Sequence, residues 1–473
     1  DIWGWTDPQT SREYAIMGMR DGTAFVDVTD GRNPIVLGKL PTHTGESTWR
    51  DIKVYEDHAY IVSDNNGPHG VQIFDLTRLR GVTTPQTFNA DYRHSGVRSA
   101  HNIAINEETG YAYVTDGDIL DLSNPANIRQ VGTVAPGAHD YHAAIYRGPD
   151  TDYVGSEILF ASYGSNLQIF DVTNKSNPEL LSVNDYERSG YVHQGWLTED
   201  HNYFIFNDEN DTRWSHVYDV SDLENPDYRG SIPFLRRSID HNGYIKGDYL
   251  YSANYTTGLW VLELTDPANA EFTIVANYDT FEFNNGFYFD GAWSVYPYFE
   301  SGNLIVSDMR YGLFVLTLDL KEGDFDYDED YGCGDIDALT RAIATGDSDE
   351  KYDLDGNEVI DQADLTQWLA IAGNAELGDA KTYLPGDSNL DGVVDTSDFN
   401  RWNASKFQNN TAWCSGDFNA DGTTDISDFN LWNARKFQSS DSNVVPEPEG
   451  LVLLVMAGLC AASIRKRRPT PKS

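Results

Sequence analysis

The stretch EYAIMG at residues 13–18, followed after a polar turn by AFVDVT at residues 24–29, decides the fold of this chain. It pairs a tyrosine-rich strand with an apolar strand that ends in an acid, and the same pattern occurs seven times before about residue 320. The acid or its equivalent lies at Asp27, Asp75, Asp121, Asp171, Asp219, Glu263 and Thr317, so neighbouring copies are 44 to 54 residues apart. Such alternation, broken by Gly, Asn and Asp, predicts hairpins, and this period is typical of propeller blades. We therefore expect an all-β, seven-bladed β-propeller over residues 1–320, with six blades as the other count.

The composition limits which partners the protein can bind and whether disulfides stabilise it. The formal net charge is -42, so the surface repels phosphate backbones and anionic headgroups and favours divalent cations. We exclude nucleic acid as a partner. The chain has three cysteines, Cys333, Cys414 and Cys460, so the ring is expected to be stable without disulfides. Cys333 and Cys414 can form a bridge only in an oxidising compartment.

The chain changes character after Leu320, where the aromatic hairpins give way to acidic, glycine-punctuated sequence. We divide this part into small α-helical modules at residues 321–375 and 384–438, a linker at residues 439–450 and a hydrophobic helix with a basic tail at residues 451–473. The apolar run at residues 451–464 has 14 residues, fewer than the roughly 20 that span a bilayer. We expect a transient membrane contact there; a buried core helix is the alternative.

The C-terminal tail resembles the PEP-CTERM sorting signal of bacteria. The resemblance lies in VPEP at residues 445–448, the apolar run, and the basic cluster RKRR at residues 465–468. It implies processing by an exosortase and a secreted, cell-surface or outer-envelope protein whose precursor is held in the inner membrane by this helix. The chain starts at Asp1 without methionine, and we interpret it as truncated or processed there. Export is inferred from the C-terminus alone.

Two tandem segments within residues 384–438 have the pattern of calcium loops. Residues 386–408 and 416–438 are near copies, and each contains D-x-N-x-D-G followed by an acid at the twelfth position of an EF-hand loop. Ca²⁺ takes about six to eight oxygen ligands, which this loop spaces around the ion. The predicted ligands are Asp387, Asn389, Asp391, the Val393 carbonyl, Asp395 and Asp398, and Asp417, Asn419, Asp421, the Thr423 carbonyl, Asp425 and Asp428. A solvated acidic loop is the alternative.

Two further loops lie upstream, and short amphipathic helices follow the tandem pair. Asp353, Asp355, Asn357, the Val359 carbonyl, Asp361 and Asp364 form a third predicted loop, in which Glu358 replaces the bend glycine; Asp324, Asp326, Asp328 and Asp335 form a looser fourth. Phe399, Trp402 and Phe407 match Phe429, Trp432 and Phe437, and we expect them to form two small apolar faces that pack together, with calcium adding stability.

A loop–helix unit repeated in tandem resembles the type I dockerin family. Dockerins bind cohesin modules through the tenth and eleventh loop residues, which here are Thr396-Ser397 and Ile426-Ser427. These match the usual hydroxyl pair only in part. The resemblance implies calcium binding and a cohesin-like or other protein partner; a calcium-stabilised spacer is the plainer interpretation.

A second periodicity precedes the tyrosine strands. One large side chain opens the innermost strand of each blade, at Trp3, Trp49, His101, His139, His193, His241 and Trp293. We expect these side chains to meet at one mouth of the central channel. Neutral imidazoles there could bind a transition metal or another ligand. Alternatively, each histidine hydrogen-bonds neighbouring backbone and closes its blade.

The ring also resembles the choice-of-anchor B proteins with LVIVD repeats, through IWGWTDP, STWRDIKVY, AHNIAINEETGYAY, HQGWLTEDH and GAWSVYPYFESGN. This resemblance implies a propeller with an interchangeable C-terminal anchor, but no reaction. Nucleophile elbows, phosphate loops and HExxH helices are absent from the sequence. The favoured hypothesis is a non-enzymatic surface protein whose propeller binds a glycan or protein. The alternative is an extracellular metal-assisted hydrolase of polysaccharide or phosphate esters.

Overall fold

The computed structural model describes residues 1–187, 189–210, 214–232 and 237–440. Its first compact unit, Asp1–Leu318, is a ring of seven antiparallel sheets, which confirms the seven-bladed propeller and excludes the six-blade count. The predicted tyrosine-rich and acid-terminated strands are the second and third strands of each sheet. Their alternating pattern buries both faces between neighbouring blades, and Tyr14, Tyr60 and Tyr113 are almost fully buried.

The strands of the blades follow chain order. The first blade contains β1 (Ile2–Thr6), β2 (Glu13–Met19), β3 (Gly22–Asp27) and β4 (Ile35–Pro41), and the second contains β5 (Arg50–Tyr55), β6 (His58–Ser63), β7 (Val71–Asp75) and β9 (Tyr92–His94), with β8 (Gln86–Thr87) paired parallel to β4. The third contains β10 (Ile103–Asn106), β11 (Tyr111–Val114), β12 (Asp118–Asp121) and β13 (Arg129–Thr133), and the fourth contains β14 (Asp140–Ile145), β15 (Glu157–Ser162), β16 (Leu167–Asp171) and β17 (Glu179–Asn184). The fifth contains β18 (Val192–Leu197), β19 (Tyr203–Asp208), β20 (Ser215–Asp219) and β21 (Asp227–Ile232), and the sixth contains β22 (Asn242–Lys246), β23 (Tyr249–Ala253), β24 (Leu259–Asp266) and β25 (Glu271–Tyr278). The seventh contains β26 (Ala292–Tyr296), β27 (Asn303–Asp308) and β28 (Gly312–Thr317).

The recurrent acid ends the third strand of a blade. Asp75 accepts a hydrogen bond from the Thr77 amide at 3.0 Å, and Asp171 accepts one from the Thr173 amide at 2.8 Å. This is an Asx turn, in which the side chain mimics a backbone turn and stops the strand. The first strand of each blade contacts its counterparts in both neighbours, so β1, β5, β10, β14, β18, β22 and β26 surround the central channel.

The ring closes by side-chain contacts between the seventh blade and the first. Glu13 in β2 accepts hydrogen bonds from the Ser301 amide at 3.2 Å and from the Asn303 side-chain amide at 3.2 Å. Asn303 also donates to the Val28 carbonyl at 3.0 Å. Because the seventh sheet consists of three strands and includes none from the first blade, this seam depends on packing and on these polar contacts.

A second compact unit begins at Asp319. Its elements are α1 (Cys333–Thr345), α2 (Gln362–Glu376), α3 (Thr396–Ser405), β29 (Gln408–Asn409), β30 (Thr423–Thr424) and α4 (Ile426–Arg435). The two predicted modules share one core around Ile336, Trp368, Trp413 and Trp432. Cys333 and Cys414 form a disulfide between them.

The expectation for Phe407 and Phe437 is wrong. Both follow the ends of their helices, adopt positive φ and are 73% exposed, whereas Phe399 and Trp402 pack on Phe429 and Trp432 as expected. The helix stops two residues earlier than the apolar spacing suggests, so these rings leave the core. Among the described residues, none of the helices is long and apolar enough to span a membrane. The VPEP motif and the apolar run with its basic tail lie outside the described residues.

Candidate metal centre

Six of the seven predicted channel residues lie together at one mouth of the ring. We call them the channel crown: Trp49, His101, His139, His193, His241 and Trp293. Their rings follow one another around the mouth with centroid separations of 6.3, 4.5, 4.1, 4.2 and 4.6 Å. They converge because each precedes or opens the innermost strand of its blade.

Three crown histidines use one ring nitrogen to join neighbouring blades. Nδ1 of His139 lies 3.2 Å from the His193 carbonyl, Nδ1 of His193 lies 3.0 Å from the His241 carbonyl, and Nδ1 of His241 lies 2.5 Å from the Trp293 carbonyl. A carbonyl can only accept, so Nδ1 carries the hydrogen in all three. Nε2 is therefore left with a lone pair. The same three histidines therefore join neighbouring blades through Nδ1 and can bind a ligand through Nε2.

Glu209 brings a carboxylate to these nitrogens. Its Oε2 lies 3.6 Å from Nε2 of His193, and its Oε1 lies 3.6 Å from Nε2 of His241. One ligand atom each from His139, His193 and Glu209 lie within 4.8 Å of one another. Nε2 of His241 is buried without a hydrogen-bond partner among the described residues. These four side chains, which we call the His–Glu cluster, have the donor set of a transition-metal site.

Tyr255 fixes the Glu209 carboxylate. Its hydroxyl donates to Oε1 of Glu209 at 2.6 Å, and its ring is fully buried. Tyr255 has φ of +38°, a costly conformation for a bulky residue, and a short bridge to Ala292 holds it there. A methyl group on Gly291 would lie 2.3 Å from the Tyr255 carbonyl, so only glycine fits beside it. Strain of this kind is typical of functional sites.

Burial sets the protonation of the cluster. Desolvation lowers the pKa of His193 to about 3 and holds the pKa values of His139 and His241 well below their ordinary value. It also raises the pKa of Glu209 to about 6. The imidazoles are therefore neutral near pH 7, as metal ligands must be.

A cavity of about 650 Å³ opens beside the cluster, lined in part by Trp49, His101, His139 and Tyr191. Nδ1 of His101 lies 3.2 Å from Oδ2 of Asp64. The carboxylate thus orients this imidazole. His101 differs from the other three histidines because its partner is an acid rather than a backbone carbonyl.

The assignment of Trp3 to the crown is wrong. The Ile2 amide donates a hydrogen bond to Oδ1 of Asp1 at 2.7 Å. The Ile52 amide donates to Oδ1 of Asp51 at the same distance, so Asp1 and Asp51 are equivalent. Trp3 is therefore equivalent to Lys53, which lies further along the strand, and Lys53 Nζ is 4.7 Å from the Trp3 ring. Sequence reasoning also missed Glu209, Tyr255 and Asp64.

The four acidic loops of the second unit share one backbone geometry. The first acid of each loop accepts the amide of the sixth residue: Asp324 from Glu329, Asp353 from Glu358, Asp387 from Gly392 and Asp417 from Gly422, at 2.7 to 3.0 Å. These sixth residues all have positive φ, between +65° and +82°. Glu358 and Glu329 thus adopt the bend that glycine adopts in the other two loops.

The last acid of each loop also accepts the same set of backbone hydrogen bonds in all four loops. Asp335, Asp364, Asp398 and Asp428 each accept amides from the second, third and ninth residues of their own loop. Carboxylate oxygens of Asp353, Asp355 and Asp364 lie within 4.8 Å of one another, as do those of Asp324, Asp326 and Asp335. Asp361, Asp395 and Asp425 instead cap the helix that follows. Asn389 and Asn419 donate to Asp391 and Asp421, each at 2.8 Å.

Comparisons with known proteins found one family match and several similar solved structures. A family model described as the LVIVD repeat matches residues 48–68 and 97–135. Similar solved structures include the β-propeller domain of Cps50 (Swd1) from Myceliophteria thermophila (11% identity, TM-score 0.46, 67% of this chain and 97% of that one). A periplasmic gluconolactonase from Pseudomonas aeruginosa is another (11%, 0.44, 62% and 86%), as is a Lactobacillus plantarum protein (13%, 0.45, 62% and 86%). No functionally curated protein matches the chain.

The class of protein is thus a seven-bladed β-propeller. More particularly, residues 48–68 and 97–135 of this propeller match the LVIVD repeat.

Proposed function

We propose that the propeller is a metal-dependent hydrolase that holds a divalent first-row transition ion at the channel crown. The observation that supports this most is the convergence of His139, His193 and Glu209 within 4.8 Å. Imidazole nitrogen and carboxylate oxygen suit zinc, manganese or iron, and His241 could supply a further nitrogen. Backbone carbonyls on Nδ1 are the partners that orient metal-bound histidines in proteins.

The reaction we propose uses the His101–Asp64 pair as the proton acceptor. A metal bound by His139, His193 and Glu209 would supply Lewis acidity toward an ester or phosphate ester and would lower the pKa of an attacking water. The water proton passes to Nε2 of His101, the hydroxide attacks, and His101 returns the proton to the departing oxygen. The cavity beside His101 and His139 gives a substrate access to this point.

The test is metal analysis of the full chain purified without chelator. We expect about one zinc, manganese, iron or copper ion per chain. Glu209→Gln should weaken binding of that ion by roughly 10-fold to 100-fold, because it removes a ligand charge but no blade contact. The matched control is Glu179→Gln on β17, which should bind the ion as the wild type does. A folded chain without a stoichiometric transition metal would refute the hydrolase.

A non-enzymatic role is the second candidate, and one surface favours it. Phe283, Tyr288 and Phe289 are 60 to 78% exposed, and the Phe289 ring lies 5.3 Å from that of Tyr255. Exposed aromatic faces next to a polar mouth suit a glycan or a protein partner. Glycan binding without any turnover by the metal-loaded chain would favour this role over hydrolysis.

For the second unit we propose calcium binding by the four loops. The supporting observation is that loops of different sequence share the same bend at the sixth residue and the same use of the last acid. Asp387, Asn389, Asp391, Val393 and Asp398 would supply the first tandem site, and the equivalent residues the others. Exposed Phe407, Phe437 and Ile426 suit docking to a protein partner such as a cohesin-like module.

We further propose that the protein works outside the cytoplasm. The Cys333–Cys414 disulfide suits an oxidising compartment, and the tail with its VPEP motif suits export and processing by an exosortase. Cell fractionation, with and without residues 441–473, tests this location. Retention of both forms in the cytoplasm would contradict it.

A further inference from the structure

A second cavity lies on the innermost strands beyond the crown, and the metal centre does not use it. It has a volume of about 430 Å³ and is lined by the rings of Trp3, Trp196, Tyr296 and Tyr298 among other apolar groups. Each innermost strand begins near the crown and runs away from it, so these residues lie toward the opposite mouth of the channel. Trp3 and Tyr296 pack edge to face at 5.1 Å, and Tyr296 and Tyr298 at 5.3 Å.

Two polar side chains that line this cavity, Glu107 and His142, make no hydrogen bond to the residues that the structure describes. Glu107 makes no hydrogen bond or ion pair within the described part of the chain, and it lines the cavity. Its side chain is exposed at the edge of the cavity, where desolvation by the neighbouring groups raises its pKa. His142 makes only ring contacts, the nearest to Trp196 at 4.2 Å. Burial lowers the pKa of His142 to about 3, so this imidazole is uncharged near pH 7.

The other charged groups of the cavity are already neutralised. Glu108 accepts two hydrogen bonds from Arg147, at 2.8 and 2.6 Å. Lys53 donates to Asp51 at 2.7 Å. The charge left without a counter-ion is therefore that of Glu107, which is negative.

We propose that this cavity binds a small organic cation, a quaternary or tertiary ammonium group. The negative faces of tryptophan and tyrosine rings attract such a cation, most strongly where water is excluded. Glu107 supplies the opposite charge, and neutral His142 adds no repulsion. Lys53 over the Trp3 ring indicates that this aromatic wall already accepts one cation. A neutral sugar could pack against the aromatic rings but would not neutralise the charge of Glu107.

The test is calorimetric titration of the full chain with choline and with its uncharged carbon isostere, 3,3-dimethyl-1-butanol. We expect choline to bind with at least about tenfold higher affinity, because only it engages Glu107 and the ring faces as a cation. Quenching of tryptophan fluorescence by choline provides a second readout.

Glu107→Gln should weaken choline binding by about tenfold or more and leave binding of the isostere unchanged. This variant removes no internal contact, and its thermal melting should match the wild type. Glu271→Gln, which removes one negative charge from β25 in the outer part of the sixth blade, is the matched control and should bind choline normally. Equal affinity for choline and the isostere, equal weakening in both variants, or no choline binding at millimolar concentration would overturn the proposal.

Discussion

Pairs of buried acids in the propeller and in the unit that begins at Asp319 differ in whether a cation lies beside them. In the ring, buried Asp7 accepts two hydrogen bonds from Arg80, at 2.8 and 2.7 Å, and buried Glu157 accepts one from Lys175 at 2.8 Å. In the second unit, Asp387 and Asp417 are fully buried beside other carboxylates, and burial followed by repulsion raises the pKa of each to about 7. Asp7 and Glu157 thus have counter-ions within the ring, whereas Asp387 and Asp417 have none among the described residues.

The two units also differ in what holds the chain together. The ring repeats one hairpin unit seven times, and apolar clusters fill the space between blades. As far as residue 440, the second unit has four α-helices, one mixed core and a disulfide. Small cores usually need additional links for stability, and the disulfide is one such link here. Removing the disulfide or disturbing the acidic loops should therefore destabilise the second unit and leave the stability of the propeller unchanged.

The largest effect is expected from calcium removal. Chelation by EGTA should leave the buried carboxylates unneutralised, and α1 to α4 should lose their protection against amide exchange while the propeller strands keep theirs. Hydrogen exchange with mass spectrometry on the full chain measures this by region. Restoring excess Ca²⁺ should restore protection. Equal protection with and without chelator would show that the loops are stable without an ion.

The disulfide should come next. Replacing both cysteines, as Cys333→Ser with Cys414→Ser, opens a loop between residues 81 positions apart. The loop-closure model gives a loss of about 4 to 5 kcal/mol, confined to the second unit. Regional exchange in denaturant measures it, and the propeller is the internal control. A loss shared by the propeller would mean that the two units unfold together.

The same contrast explains how much could be read from the sequence. Repetition exposed the ring: hairpins at a fixed period gave the seven blades and placed His139, His193 and His241 at one mouth. Glu209 and Tyr255 were missed because each occurs once, in a loop that no other blade copies. Trp3 was misplaced because, like Trp49, it is a tryptophan near the start of an innermost strand, whereas the Asp1–Ile2 hydrogen bond aligns Trp3 with Lys53.

In the second unit, the loop pattern predicted which acidic residues lie close together. It did not predict how the two modules pack against each other. Glu358 shows the limit, because a glutamate at the bend suggests a different turn, yet the loop keeps φ of +65°. The Asp353 carboxylate, which accepts the Glu358 amide at 2.7 Å, holds it there. Sequence could not show that Cys333 and Cys414 come together, because their approach depends on a core formed from both modules.

Within the ring, acid should have a moderate effect through His69. This side chain is fully buried, and desolvation and the nearby Arg50 lower its pKa to about 4. The unfolded chain protonates it near pH 6.5, so stability is lost as the pH falls from about 6.5 toward 4, by up to about 3 kcal/mol. Denaturant unfolding of His69→Gln should show a flatter dependence on pH in that window. An unchanged slope would assign the acid sensitivity to other groups.

The smallest expected effect tests the seam of the ring. Glu13 accepts from Ser301 and Asn303 across the junction of the first and seventh blades, and its carboxylate is buried. In Glu13→Gln an amide nitrogen faces those donors, so at least one bond is lost and the cost should be about 2 kcal/mol. Unfolding should begin at β26 to β28, seen as earlier amide exchange there than in the fourth blade. Exposed Glu56→Gln is the matched control and should melt as the wild type does. Because the seventh sheet takes no strand from the first blade, uniform loss across all blades would mean that apolar packing alone closes the ring.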